Sequence, residues 1–442
     1  MKKYNLLSEF IRYVSLNVLG MIGLSCYILA DTFFVSKGLG SDGLAALNLA
    51  IPIFSFVNGT GLMLGMGGAT KFTVFKAQGN NNQCSTVFAN TIYSAAAFSV
   101  LFMAAGLLFS RNITALLGAD DNIFQMTDTY LKIILIFSPA FIMNNIMNCY
   151  VRNDGSPKLA MMGMLFGSFS NIIFDYIFIF PLNMGIFGAV LATGFSPVVG
   201  LCILSTHFIG KHNSFIFKPT VPKPSLIGES LSLGIPSLIT EVSSGIVMII
   251  FNALILKYKG SVGVAAYGVV ANISIVVISV FTGIAQGLQP VASRAFGEQD
   301  FARAQNSLRY ALITVIGVSI LVYGVIFMLS GRITEIFNSE GNARLQSIAE
   351  QGLKLYFIGT PFAGINIIFA VYFSSTEKPL PAQIISVCRG FAVIIPTAFV
   401  MAYLLEVVGI WLTFPTAEGI VTIIALLLMR NCKTPSYSTR RI

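Results

Sequence analysis

The feature that most limits the possible folds is a series of twelve apolar segments that fills nearly the whole chain. Each segment is long enough to cross a bilayer as a helix, which takes about 20 residues. The segments lie near residues 12–36, 43–70, 84–110, 126–151, 158–181, 185–208, 228–256, 261–290, 304–330, 347–374, 380–404 and 407–430. Only 10% of the residues are charged, against about a quarter in soluble domains. The sequence therefore predicts an all-α polytopic membrane protein with twelve transmembrane helices.

Basic residues gather in the loops on one side of the membrane. If the N-terminus is inside, most of the 27 lysines and arginines lie on the inner face. They include Lys2, Lys3, Lys71, Lys76, Arg152, Lys158, Lys211, Lys218, Lys223, Arg294, Arg303, Arg430, Arg440 and Arg441. By the positive-inside rule we expect both termini in the cytoplasm and the chain in the plasma (inner) membrane. The net charge of +9 is spread over many loops, which does not favour nucleic-acid binding.

Residues that carry most enzyme and metal chemistry are sparse. The six cysteines have neither paired nor CxxC spacing, and the two histidines, His207 and His212, lie at one helix end and the loop after it. The one adjacent acid pair, in LLGADDNIF (116–124), has no histidine beside it. The sequence also lacks a Gly-rich phosphate loop with Lys-Ser/Thr. We therefore expect no enzyme, no ATP drive, no disulfide framework and no His-based metal site.

The two halves of the sequence repeat each other in order. GLAAL (43–47) corresponds to GVAAY (263–267) at a shift of 220, and SPAFIMN (138–144) to TPFAGIN (360–366) at a shift of 222. GIFG at 185–188 corresponds to GIWL at 409–412. These matches predict two pseudo-symmetric six-helix bundles related by an axis along the membrane normal. We place the N-terminal lobe at 1–210, a cytoplasmic linker at 211–227 and the C-terminal lobe at 228–442.

A set of motifs covers nearly the whole chain. They are ADTFFVSKGLGSDGLAALNLAIP (30–52), RNDGSPKLAMMG (152–163), NIIFD (171–175), GIFGAVLAT (185–193), GIPSL (234–238) and QPVASRAFGEQD (289–300). Together they resemble the multidrug and toxic compound extrusion (MATE) family of transporters. The resemblance implies two six-helix lobes and export of drugs or metabolites. It also implies that export is driven by inward flow of H⁺ or Na⁺, with no further cofactor.

The resemblance also implies a cation site in the N-terminal lobe. One branch of the family has an Asp on the first helix, Asn-x-x-x-Asp on the fifth and a Thr on the sixth. The matching residues here are Asp31, Asn171, Asp175 and Thr193. The C-terminal site of another branch is not matched, because Glu241 lies only five residues after Pro236 and the middle of the tenth span offers Asn366 but no carboxylate.

The depth of these residues in the predicted spans supports the site independently of the family resemblance. Asp31 and Asp175 lie roughly 8 to 9 Å from the outer ends of their spans, and Thr193 lies roughly 12 Å deep. Asn171 precedes Asp175 by one turn, on the same face. Such oxygen ligands suit Na⁺, held by the two acids and the amide, and suit a proton equally. An acid at this depth costs roughly 2.5–3.5 kcal/mol, which favours a functional role over a structural contact with Asn171.

Further side chains are candidates for a substrate cavity: Glu241, Asn144, Tyr150 and Met147. Glu241 lies mid-span, and both a substrate or cation contact and a structural hydrogen bond remain open for it. Methionine suits promiscuous binding because its thioether is polarizable. Arg389 and Glu418 also lie mid-membrane, and we expect them to form a buried structural ion pair.

Two transport functions remain. The first is a cation-coupled secondary antiporter that exports organic cations or amphipathic drugs by alternating access, as a monomer because the duplicated halves let one chain enclose the path. The alternative is a flippase for lipid-linked saccharides, of a related architecture. Such a flippase needs a strongly basic cavity to hold pyrophosphate, whereas the intramembrane ionisable groups here are mainly acidic, Arg389 apart. The sequence therefore favours the antiporter.

Overall fold

Almost every described residue of the computed structural model belongs to a helix. The structure describes residues 5–210, 213–338 and 341–431. Its α-helices are α1 Leu6–Ala77, α2 Asn81–Leu116, α3 Phe124–Ile136, α4 Ser138–Asn153, α5 Pro157–Ile179, α6 Gly185–Ile209, α7 Pro224–Gly297, α8 Phe301–Phe337, α9 Ala343–Tyr356, α10 Thr360–Ser375, α11 Pro379–Val387 and α12 Ile394–Asn431. A 3₁₀ turn, Phe357–Gly359, follows α9, and a π-helical turn, Cys388–Ala392, follows α11. Some residues named above lie outside the described ranges: Lys2, Lys3, Lys211, His212, Arg440 and Arg441.

Three of these helices reverse direction at a single non-helical residue. Gly40 in α1, Gly260 in α7 and Glu406 in α12 have positive φ angles of 69°, 65° and 50°. Within the described ranges, nine helical runs are long and apolar enough to cross a membrane when the bent pair α3–α4 counts as one. With the three reversals the chain crosses twelve times, which confirms the predicted all-α, twelve-span fold.

Contacts of α1 show its reversal directly. Arg152, at the end of α4, donates a hydrogen bond to Asn17 in the first arm of α1 and also contacts Met66 in the second arm. The two arms therefore lie antiparallel, and both ends of α1 are at one face of the protein. We call it the N-terminal face, and the face that carries the three reversals is the far face.

The two lobes meet along α1 and α7. Helices α1–α6 form the N-terminal lobe and α7–α12 the C-terminal lobe, and each lobe has its own buried apolar core. A β-carbon on Gly67 would lie 1.9 Å from the carbonyl oxygen of Ser230, and one on Gly287 would lie 2.7 Å from the Cα of Val14. Gly67 and Gly287 are 220 positions apart, the same shift as in the sequence repeat. The two bundles are thus pseudo-symmetric, and a side chain at either glycine would force the lobes apart.

Ion pairs join the lobes at the N-terminal face. Glu9 of α1 pairs with Arg294 of α7, and Lys71 of α1 pairs with Glu229 of α7 at 2.6 Å. Lys71 also reaches Glu377, 2.8 Å away, in the turn before α11. Glu9 and Glu229 are again 220 positions apart, so each lobe contributes one acid to a base of the other. These crossed ion pairs hold the N-terminal face closed.

A fully buried arginine lies between the two lobes, near the crossed ion pairs. Arg152 of α4 donates hydrogen bonds to Gln286 at 2.7 Å and Gln289 at 3.4 Å in α7, and to Asn17 at 3.0 Å in α1. These partners are neutral amides, and no acid pairs with Arg152 in the described part of the chain. A buried charge without a counter-charge costs free energy. The closed face is therefore less stable than an apolar contact of the same size.

Asp154, in the turn between α4 and α5, accepts hydrogen bonds from three groups at the N-terminal face. It accepts hydrogen bonds from Nε2 of His207 at 2.8 Å, from the backbone N–H of Ser214 at 2.7 Å and from Lys76. Burial alone would raise the pKa of Asp154, but the hydrogen bonds from His207 and Lys76 hold it below its usual value. The charge of Asp154 thus ties α1, α6 and the segment after α6 together.

That segment, residues 213–223, lies against the N-terminal lobe, and we call it the strap. Phe215 is fully buried and packs on the ring of Tyr150. At the other end, the backbone N–H of Lys223 donates to Asn90 of α2 at 3.4 Å, and α7 begins at the next residue. The strap is therefore part of the N-terminal lobe up to the start of α7.

The variant Asp154→Asn is expected to destabilise the fold by about 3 kcal/mol, because it leaves Lys76 without a buried counter-charge. Since folding lowers the pKa of Asp154, its contribution is present above about pH 4 and is lost as the pH falls further. Melting temperatures in detergent should thus fall more steeply with acid in the wild type than in the variant. Equal acid sensitivity of the two proteins would contradict this account.

Candidate cation site and central cavity

Two of the predicted acids meet inside the N-terminal lobe. Asp31 lies in the first arm of α1 and Asp175 in α5, and they are 9% and 0% exposed. A small residue brings these helices together, since a β-carbon on Gly23 would lie 2.4 Å from the side chain of Leu165. The two carboxyl groups lie within hydrogen-bonding reach of each other. Two carboxylates in contact repel each other unless they share a proton or a cation.

Asn171 and Thr193 complete this cluster. Asn171 lies one turn before Asp175 in α5, and with its amide nitrogen facing that acid it donates to Oδ2 at 3.0 Å. The amide oxygen then accepts from the backbone N–H of Thr193 in α6 at 3.3 Å. The structure thus brings the four predicted residues together from three helices, and all four are buried.

The cluster offers the ligands that a hard monovalent cation needs. One oxygen of each acid, Oδ1 of Asp31 and Oδ1 of Asp175, has no hydrogen-bond partner among the described residues. In the same ranges no basic side chain forms an ion pair with either acid. Carboxylate, amide and hydroxyl oxygens suit Na⁺ and can equally hold a proton. Among the described residues, the charge of the two acids therefore has no balancing basic group.

Two tyrosines next to the cluster were not predicted from the sequence. The hydroxyl of Tyr130, in α3, lies within hydrogen-bonding reach of the side chain of Thr193, and Tyr27 and Tyr130 both lie within electrostatic reach of Asp31 and Asp175. Tyr27 precedes Asp31 by four residues, so helical spacing was a signal that both occupy one face. No comparable signal existed for Tyr130, because only the packing of α3 on α6 brings it to the site.

Glu241 takes part in a hydrogen-bonded chain between the lobes. Asn58, in the second arm of α1, donates to Oε2 of Glu241 in α7 at 3.3 Å. Asn145 of α4 donates in turn to the side-chain oxygen of Asn58 at 2.8 Å. Glu241 is partly exposed and therefore has both a structural hydrogen bond and an open side. The two asparagines have no distinguishing pattern in the sequence.

The other candidate cavity residues lie apart from Glu241. Asn144 is partly exposed at the contact of α4 with α6, and its side-chain oxygen has no partner among the described residues. Met147 is 6% exposed and belongs to the apolar core of the N-terminal lobe. Tyr150 is fully buried, and its hydroxyl lies 2.8 Å from that of Thr91 in α2. Tyr150 thus packs against Phe215 of the strap.

Arg389 and Glu418 form the expected ion pair in the C-terminal lobe. Nε of Arg389 lies 2.9 Å from Oε1 and 3.0 Å from Oε2 of Glu418, and a second nitrogen reaches Oε1 at 2.8 Å. Asn366 of α10 donates a further hydrogen bond to Oε2 at 2.7 Å. The prediction of a buried pair between these two residues is confirmed.

Known proteins resemble this chain along most of its length. The model of the MatE family matches residues 18–177 and 236–423. The multidrug export protein MepA of Staphylococcus saprophyticus is 26% identical over 407 residues, which are 91% of this chain and 89% of that protein. MepA of Staphylococcus aureus is 24% identical over 408 residues, again 91% and 89% of the two chains.

Solved structures share the fold. A crystal structure of MATE in complex with MaL6 aligns with a TM-score of 0.91 at 21% identity, over 97% of this chain and 96% of that one. The outward-facing conformation of a multidrug resistance MATE family transporter of the MOP superfamily aligns with a TM-score of 0.89 at 21% identity, with the same coverage of 97% and 96%. The twelve-helix arrangement is therefore common to these proteins.

Proposed function

The chain belongs to the MatE family of multidrug and toxic compound extrusion transporters, and we propose that it is a cation-coupled secondary antiporter rather than an enzyme. It exports organic cations or amphipathic drugs in exchange for H⁺ or Na⁺. The observation that carries this proposal is the buried pair of Asp31 and Asp175, which no basic side chain neutralises among the described residues. The relatives named as multidrug export proteins support the class of substrate.

Each residue of the cluster has a part in the exchange. Asp31 and Asp175 hold the cation between them, and Asn171 keeps Asp175 in place through its hydrogen bond. Tyr130 and Thr193 fix α3 and α6 against the site. A cation that binds more tightly in one conformation than in the other shifts the population towards the first. Loss of the cation then favours the other conformation, and Glu241 offers a carboxylate to a cationic substrate at the contact between the lobes.

Orientation and assembly follow from the same proposal. The N-terminal face, with the crossed ion pairs, lies in the cytoplasm of a cell whose plasma (inner) membrane the chain spans, and both termini are on that side. The linker 211–227 joins the lobes at 1–210 and 228–442. Its strap packs on the N-terminal lobe, and its last residues, from Pro224, already belong to α7. One chain forms the whole path between its lobes, so the functional unit is a monomer.

Purified protein in proteoliposomes tests this function. Transport of ethidium, a fluorescent organic cation, is followed under an imposed Na⁺ gradient alone and under an imposed pH gradient alone. We expect one of the two gradients to drive ethidium against its own gradient, because the site takes up one cation for each turnover. If neither gradient drives ethidium or any other member of an organic-cation panel, the proposal fails, and lipid-linked saccharides become the substrates to test.

A further inference from the structure

The C-terminal lobe contains a second carboxylate site, whose counter-charge is an arginine side chain of the same lobe. Glu418 of α12 is 3% exposed, and the guanidinium of Arg389 binds both of its oxygens. The N-terminal lobe differs, because its two acids have no basic partner among the described residues. One lobe therefore takes its counter-charge from solution and the other from its own chain.

The surroundings of Glu418 match the ligand types of the N-terminal cluster. Asn366 donates from Nδ2 to both the backbone oxygen and Oε2 of Glu418, at 2.9 Å and 2.7 Å, while its Oδ1 has no partner among the described residues. Tyr356 lies within electrostatic reach of both Glu418 and Arg389. The carboxylate of Glu418, the amide of Asn366 and the ring of Tyr356 thus lie around the guanidinium, and Oδ1 of Asn366 is left without a partner among the described residues.

The backbone places the guanidinium there. Arg389 lies in the π-helical turn Cys388–Ala392, where the N–H of Val393 bonds to the carbonyl of Cys388 at 3.0 Å. The extra residue of such a turn redirects the side chains around it, and π-turns are frequent at functional sites. Gly390, the next residue, touches α7, since a β-carbon there would lie 2.7 Å from the side chain of Ser243. The turn is therefore fixed against the neighbouring helix.

We propose that Arg389 is a built-in counter-ion that occupies a latent site for a monovalent cation at Glu418 and Asn366, and so confines ion coupling to the N-terminal lobe. This rests on the proposed function of the Asp31–Asp175 site. Arg389 acts through Glu418 and is a positioning residue. Its removal opens the latent site to H⁺ or Na⁺, because Glu418 then has no counter-charge and Asn366 keeps a free oxygen.

The number of cations exchanged per substrate is the quantity to measure. Proteoliposomes with the membrane potential held at zero are brought to the point of no net ethidium flux under a known cation gradient. At zero net flux, the ratio of ethidium concentrations across the membrane depends on the cation gradient raised to the number of cations exchanged. In Arg389→Met this number should rise by one, so that the ratio rises about tenfold at a tenfold gradient. In the matched neutral control, Arg389→Met with Glu418→Gln, the ratio should return to the wild-type value. The reversed pair, Arg389→Glu with Glu418→Arg, should also keep the wild-type value.

The outcomes separate this proposal from the function on which it rests. An unchanged ratio in folded Arg389→Met overturns the latent site, while Asp175→Asn, measured in the same way, reports on the N-terminal site alone. If Arg389→Met does not fold, Arg389→Gln is measured in its place, because its neutral amide can still donate a hydrogen bond to Glu418. The same rise by one power of the gradient supports the proposal, and an unchanged ratio overturns it.

Discussion

Replacing Asp175 by asparagine is expected to abolish cation-driven export while leaving the protein folded. The change removes one of the two charges that hold the cation. Loss of a residue that only orients a metal ligand typically costs about 10–100-fold in affinity, so loss of a ligand should cost at least about 100-fold. The asparagine keeps the size of the side chain and a hydrogen-bond acceptor for Asn171. It also removes an acid that costs roughly 2.5–3.5 kcal/mol in a membrane helix, so the melting temperature should not fall.

Ethidium transport under the driving gradient is the measurement for Asp175→Asn, with size-exclusion behaviour and the melting temperature as checks on folding. The matched control is Asp121→Asn, which removes an exposed acid in the turn between α2 and α3. This control should transport like the wild type. Normal coupled transport by Asp175→Asn would mean that the cluster of α1, α5 and α6 is structural.

The crossed ion pairs give the second large effect. Glu9→Gln combined with Lys71→Met removes both crossed ion pairs and should shift the protein towards a state open at the N-terminal face. A loss of about 1.4 kcal/mol is enough for a tenfold shift in population. Ser293 is a suitable reporter because it is 0% exposed and lies one turn after Gln289, on the face of α7 that meets Arg152. We expect Ser293→Cys to react at least about tenfold faster with a membrane-impermeant maleimide in the double variant.

This labelling experiment needs a background in which the native cysteines are replaced by serine. Glu335→Gln serves as the matched control, because it removes an exposed acid near the far-face end of α8. Its labelling rate should equal that of the unaltered background. Equal rates in the double variant and the background would show that the crossed ion pairs do not hold the face closed.

The sequence predicted the parts of the molecule that depend on the membrane. Twelve spans and a duplicated chain followed from segment length and from the constant shift between motifs, and the fold agrees with both. Arg389 and Glu418 were predicted to pair because lone charges at that depth need partners, and they do pair. The acids of the N-terminal lobe were singled out for the same reason.

Other features could not be predicted because lipid-facing and core-facing side chains are equally apolar in such helices. Periodicity therefore did not show which side of α4 faces the centre, and Tyr150 turned out to lie in an aromatic core. The contact of Asn58 with Glu241 and the approach of Tyr130 to Thr193 depend on tertiary packing alone. Arg152 was counted as a loop charge, whereas it is fully buried between the lobes.

The strap limits how the two lobes can move. It is bound to α2 as far as Lys223, and α7 begins at the next residue, Pro224. No flexible segment therefore separates the lobes at this point. Pro222 and Pro224 flank Lys223, and each proline restricts the backbone on its N-terminal side and fixes its own φ. The junction therefore permits rotation of one lobe relative to the other but little translation. The lobes can tilt about it, but they cannot slide apart there, and the widest movement must occur at the edge of the molecule farthest from this pivot.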